Sequence, residues 1–253
     1  MSKTVEYRQT QVLFDKKWRR FLKYSWVFRF IPFVEGVFGN GSMAIGNVSE
    51  RSDFDVLILA KRGRIFTARA FSIIFFGLLG VRRSKHDSGP SAADKVCLNH
   101  FVSPDSFRLT EEINGFWQLL YQKLVPVYGR PEILESFFLA NQDWLEPRQF
   151  NLDLRHQHKA STGFKKLLEA TLANGAGDYI EARLKNFQVK RIEKGLKKEL
   201  NRPSVIRVIT HDKNISDGVY ALPPLIKYND RELQFHPDPA TIEIKQRDFF
   251  SLS

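Results

Sequence analysis

The chain reads as an α/β protein, and three observations predict it. Apolar runs at 31–38, 53–60 and 96–103 have the length and composition of strands. A long apolar helix at 65–81 separates the second run from the third, as where a sheet alternates with its covering helices. Beyond residue 107 the apolar period becomes helical, so a helical C-terminal part follows the core.

The elements follow in order. Residues 12–28 space Phe14, Trp18, Phe21 and Leu22 as one helical stripe, with Lys16, Lys17, Arg19, Arg20 and Lys23 between them. This is an amphipathic helix with a basic face, read first as packed on the sheet with that face solvated and second as a phosphate-facing or membrane-surface helix. "IPFVEGVF" (31–38) is a strand running into a glycine loop, and "DFDVLILA" (53–60) is apolar enough to be covered on both faces. Arg69 interrupts the apolar run 65–81, leaving it too short to span a bilayer, so it is a helix of the core. "RRSKHDSGPSAADK" (82–95) is a polar loop before the third strand.

Stripes through Ile113, Phe116, Trp117, Leu120 and Leu124, through Ile133, Leu134, Phe137 and Phe138, and through Phe164, Leu167, Leu168, Thr171 and Leu172 mark three helices. A basic segment, 178–200, follows, and the tail carries short β-like runs at 204–210 and 226–235. The expected division is a core at 1–107, a helical part at 108–202 and a tail at 203–253.

Composition bounds the function. A net charge of +11 over 253 residues points to an acidic partner such as a nucleotide, a nucleic acid or an anionic surface. One cysteine, Cys97, excludes an intrachain disulfide, and the N-terminus lacks the apolar core of a signal peptide. A cytoplasmic protein without stable membrane insertion is expected, with Cys97 a buried structural thiol.

The chemistry concentrates in "GNGSMAIGNVSERSDFDVLIL" (39–59). In an extended segment residues i and i+2 share a face, so Asp53 and Asp55 project together. Two such carboxylates repel unless a cation sits between them, and a hard divalent ion resolves the conflict. Gly41 and Ser42 supply backbone N–H groups and a hydroxyl for a phosphate. "GNGSMA" also matches the dinucleotide fingerprint, but eleven residues between Gly41 and Asp53 leave no room for its crossover helix.

These residues resemble the signature of the DNA polymerase β-like nucleotidyltransferase superfamily, matched by Gly41, Ser42, Gly46, Ser52, Asp53 and Asp55. The resemblance implies a small mixed-sheet nucleotidyltransferase core. It implies that Asp53 and Asp55 bind two Mg²⁺ (or Mn²⁺) ions and that Gly41 and Ser42 hold the triphosphate of an NTP. A nucleoside monophosphate would then pass to an acceptor, a small molecule, an RNA or a protein. The alternative is a non-catalytic nucleotide- or RNA-binding relative. Ile45 replaces the family's usual basic residue, and the third strand contains no acid. Asp94 at its edge is the candidate third catalytic carboxylate, with Asn99 or His100 as stand-ins and a solvated loop residue as the alternative for Asp94.

Two other clusters are weaker. His156 and His158 lack the Cys or acidic partners of a zinc site. The basic run 183–202, with Lys185, Lys190, Arg191, Lys194, Lys197, Lys198 and Arg202, reads first as a solvated helix face and second as a nucleic-acid contact.

Overall fold

The computed structural model describes residues 3–84, 86–87, 89–109, 115–146, 153–200 and 226–235. Ile113, Arg202 and the run 204–210 lie outside the described residues, as does the side chain of Lys198. The architecture is α/β: a six-stranded mixed sheet with helices on both faces.

The helices are α1 (Lys3–Ser25), α2 (Gly41–Ile45), α3 (Ile65–Leu78), α4 (Gly115–Gln122), α5 (Pro131–Leu139), α6 (Gly163–Thr171) and α7 (Gly175–Leu200). The strands are β1 (Val34–Gly39), β2 (Phe54–Ala60), β3 (Val96–Val102), β4 (Val125–Gly129), β5 (Ile226–Tyr228) and β6 (Glu232–Phe235), in the sheet order β4-β1-β2-β3-β6-β5. Of the strand pairs among the described residues, only β2 and β3 run parallel. The 226–235 run forms the expected β structure as a hairpin, turned by Asn229, whose Oδ1 accepts the N–H groups of Arg231 and Glu232 at 2.9 Å each.

Strand alternation divides the core. Phe54, Val56 and Ile58 of β2 point to one face, beneath Trp18 and Phe21 of α1 and Phe66 and Phe76 of α3. Leu57 and Leu59 point to the other, beneath Trp117 and Leu120 of α4 and Leu134 and Phe137 of α5. Both faces are covered, which is why β2 is almost continuously apolar.

The strand β4 falls in a stretch where the sequence pattern shows only helices. "VPVYG" is short, fully buried and so lacks alternation, and it contains Pro126. A proline cannot donate to the ladder, and β4 accordingly lies at the sheet edge beside β1. At Gly129 (φ +117°) a Cβ would stand 2.7 Å from the Glu35 carbonyl oxygen, so only glycine permits this approach.

The parallel pair needs a crossover, and α3 provides it. Arg64, at its N-cap, gives no side-chain cap. The carboxylate of Glu181 on α7 takes that role, accepting the N–H of Phe66 at 2.9 Å, the N–H of Thr67 at 2.8 Å and the Thr67 hydroxyl. Gln188 donates to the Phe66 carbonyl at 2.8 Å and accepts from Arg69 at 2.7 Å. These bonds fix one side of α7 against α3. No helix among the described residues is long and apolar enough to cross a membrane.

A second fastening joins α6 to the sheet. Lys165 is buried, and its ammonium donates to the Val34 carbonyl and to the Tyr128 hydroxyl at 2.8 Å. Glu169, one turn on, accepts the N–H of Phe33, a non-glycine residue at φ +63°, at 2.7 Å. Burial pulls the Lys165 ammonium down to about 8, although Glu169 and Glu35 pull the other way.

This sets a pH dependence. An unfolded lysine titrates near about 10.4, so between the two values the unfolded chain holds a proton that the folded chain has released. Stability therefore rises with pH across that window. The Lys165 share is up to about 2 kcal/mol between pH 8 and 9.5, at 1.36 kcal/mol per unit. Urea midpoints for the wild type and Lys165→Met across this range are expected to show the rise shrinking in the variant. Parallel profiles would contradict the assignment.

Candidate functional site

The site forms where β1 leaves the sheet and β2 enters it. After Gly39, Asn40 stays extended and its N–H donates to the Asp55 carbonyl at 2.9 Å. Gly41 then adopts φ +63°, and α2 begins. A Cβ on Gly41 would stand 2.3 Å from Asp55 Oδ2. Loop and carboxylate are therefore in direct contact, and no side chain fits between them. Ser42 follows in the first turn of α2.

Phe54 orients the two aspartates. Its ring is buried against Phe21, with centroids 5.2 Å apart, and its N–H donates to the Lys95 carbonyl at 2.8 Å. With Phe54 pinned into the α1 side of the core, Asp53 and Asp55 point to the opposite face. Parallel pairing of β2 with β3 sets Asp55 in register with Cys97. Ligand atoms of Asp53, Asp55 and Cys97 all lie within 4.8 Å of one another.

A cation already serves this cluster. Arg83 Nη1 donates to Asp53 Oδ2 at 2.5 Å and lies 3.7 Å from Cys97 Sγ. Burial works against the Arg83 guanidinium, but the attraction of Asp53 and its neighbours outweighs it and raises the group above its usual value. Burial, with the charges of Asp55 and Asp53, pushes the Cys97 thiol well up, so it is a neutral thiol beside the carboxylates. Cys97, read from the sequence as a structural thiol, thus belongs to the site. Asn99 donates to Asp55 Oδ1 at 3.4 Å, which places one expected stand-in against the aspartates.

The other candidates on or near β3 are engaged elsewhere. Asp94, at φ +60°, precedes β3, and its N–H donates to the Ser52 carbonyl at 3.1 Å. Its carboxylate pairs with Arg20 and, at 3.0 Å, with Lys17 of α1. Lys17 also donates to the carbonyls of Glu50 at 2.8 Å and Ser52 at 2.9 Å. Asp94 is thus a clip that holds α1 to the loop before β2. His100 is buried against Glu232 of β6 at 3.1 Å. His156 is buried, with Nε2 at 2.7 Å from the Gly129 carbonyl oxygen. Among the described residues, the only group of three or more metal-ligating side chains is Asp53, Asp55 and Cys97.

Arg83 and Cys97 are the functional candidates that sequence reasoning passed over. For Cys97 a signal existed: "VCLNHFV" alternates, so Cys97 and Asn99 share a face opposite Val96 and Leu98. That face meets Asp55 only because β3 runs parallel to β2. Arg83 lies thirty positions from Asp53, with no local pattern linking them.

No family model, curated protein or solved structure matches the chain.

The placement of Asp94 has a measurable consequence. Asp94→Asn keeps a residue that tolerates the left-handed backbone but removes the charge facing buried Lys17. A loss of about 1–3 kcal/mol in urea denaturation is expected, because a charge-assisted bond to a buried group disappears. Arg20→Gln, at the exposed end of the same clip, should cost under about 1 kcal/mol. An Asp94→Asn protein as stable as wild type would show that the clip contributes nothing.

Proposed function

We propose that the chain binds a nucleoside triphosphate together with a divalent cation at the surface formed by Gly41–Ser42 and Asp53–Asp55, and transfers the nucleoside monophosphate to an acceptor oxygen. The observation that carries this reading is the contact between the two halves: with no Cβ on Gly41, the Asp55 carboxylate lies directly against the glycine loop. The resemblance of residues 31–60 to nucleotidyltransferases supports it.

The residues present suit a hard cation. Asp53 and Asp55 offer carboxylate oxygens on one face, and Asn40 Oδ1 and Asn99 Oδ1 are buried oxygens without a hydrogen-bond partner among the described residues. Asp53 and Asp55 would hold Mg²⁺ or Mn²⁺, which supplies charge neutralisation of the triphosphate and alignment of the attacking and leaving oxygens. Gly41 and Ser42 would orient the phosphates. In the transfer, an acceptor oxygen bonds to the α-phosphorus as the bond to pyrophosphate breaks. Arg83, on leaving Asp53, supplies a positive charge to the departing phosphates. A free thiol at Cys97 goes with a reducing compartment such as the cytoplasm.

One observation favours a second reading, nucleotide binding without transfer. Beside Asp55, β3 carries Cys97 and Asn99 and no carboxylate, and a thiol pushed up by burial is a poor acceptor of the hydroxyl proton.

Calorimetric titration with each of the four NTPs, in Mg²⁺, in Mn²⁺ and in EDTA, tests the shared part of both readings. Binding should require the metal and vanish in Asp55→Asn. Arg83→Gln should tighten Mn²⁺ binding to the nucleotide-free protein, because the competing internal cation is gone. Metal-independent binding of equal strength would sink both readings. Incubation with labelled NTP and a cell extract then separates them: a labelled acceptor supports transfer, and none supports binding alone.

A further inference from the structure

The second feature that asks for a partner is α7, away from the glycine loop. Its inner side is spent on the fold. Glu181 caps α3, Gln188 bonds Phe66 and Arg69, and Leu184 packs on the core. The outer side carries Tyr179, Arg183, Phe187, Lys190, Lys194 and Lys197, all exposed. At 100° per residue these six fall within an arc of about 80°, along a line of about 27 Å. That arc contains no Asp or Glu.

Two features separate this face from an ordinary solvated one. Tyr179 is 65 % exposed and Phe187 is 62 % exposed, large rings that a purely solvated helix face does not need. Among the described residues, Arg183, Lys190, Lys194 and Lys197 form no ion pair, although Arg183 sits over the Tyr179 ring with 5.9 Å to its centroid. The partner must therefore offer flat apolar faces and negative charges alternating at short range.

We infer that the outer face of α7 is a docking surface for single-stranded nucleic acid. Unpaired bases stack on Phe187 and Tyr179, and the backbone phosphates meet the cations between and beyond them. A duplex buries its base faces and cannot use the rings. An anionic membrane fits less well: an interfacial helix sets a broad apolar face opposite its cations, whereas here rings and cations share one arc. The net charge of +11 acts in the same direction. This surface does not depend on the triphosphate site.

Fluorescence anisotropy of the full chain with a fluorescein-labelled 20-nucleotide oligo(U), over a series of salt concentrations, tests the inference. Phe187→Ala is expected to weaken binding about tenfold at every salt concentration. The triple change of Lys190, Lys194 and Lys197 to Gln should flatten the slope of log K against log[salt] by about 2, at roughly 0.7 per phosphate contact on a single strand. All four positions are exposed, and circular dichroism melting should show each variant as stable as wild type. The proposal is overturned by absence of binding at low salt, by equal affinity for a duplex of the same length, by an inert Phe187→Ala, or by capture on phosphatidylserine vesicles in preference to the oligonucleotide.

Discussion

The parallel pairing of β2 with β3 is the constraint on which the rest of the structure depends. A parallel neighbour cannot be reached by a tight turn, so the chain must cross over the sheet, and α3 is that crossing. The start of α3 needs a cap that Arg64 does not give, and Glu181 supplies it from α7. With Glu181 and Gln188 turned inwards, the rings and cations on the far side of α7 face outwards. The same pairing sets Asp55 in register with Cys97. Both candidate surfaces thus descend from one strand-pairing decision.

Electrostatics at the aspartates has an internal solution in this chain. Two carboxylates forced to one side by the burial of Phe54 require a positive partner, and Arg83 meets that need at 2.5 Å. A bound divalent ion would have to compete with the Arg83 guanidinium for Asp53. Beside Asp55, the third strand places a thiol and an amide: Cys97 in register and Asn99 within 3.4 Å. Asp94, the nearest acid in sequence, is bound to α1 by Lys17 and Arg20.

Much of the α/β core was legible in the sequence, because strands buried on both faces write long apolar runs and the helices write periodic ones. Residues 53–60 and 65–81 are examples, and the structure has them as β2 at 54–60 and α3 at 65–78. The strand β4 was not legible: five buried residues with a proline carry neither period, and only the open edge of β1 makes them a strand. At the candidate site, Asp53, Asp55, Gly41 and Ser42 could be read locally, since they lie within fifteen positions of one another. Arg83 and Cys97 arrive by way of the crossover, so their meeting with the aspartates is a property of topology. The line of rings and cations on α7 was half legible. The charge run was plain, but which residues the helix turns outwards depends on Glu181 and Gln188 being held inwards.

The central claim is that Asp53 and Asp55 exchange an internal cation for a metal that carries a triphosphate. Crystals soaked with Mn²⁺ and a non-hydrolysable nucleoside triphosphate test it most directly, through anomalous diffraction at the manganese edge. A manganese peak between the Asp53 and Asp55 carboxylates, phosphate density at Gly41–Ser42, and an Arg83 guanidinium displaced from Asp53 are expected. Crystals with bound nucleotide elsewhere, or with no manganese at the aspartates and Arg83 still on Asp53, would contradict it.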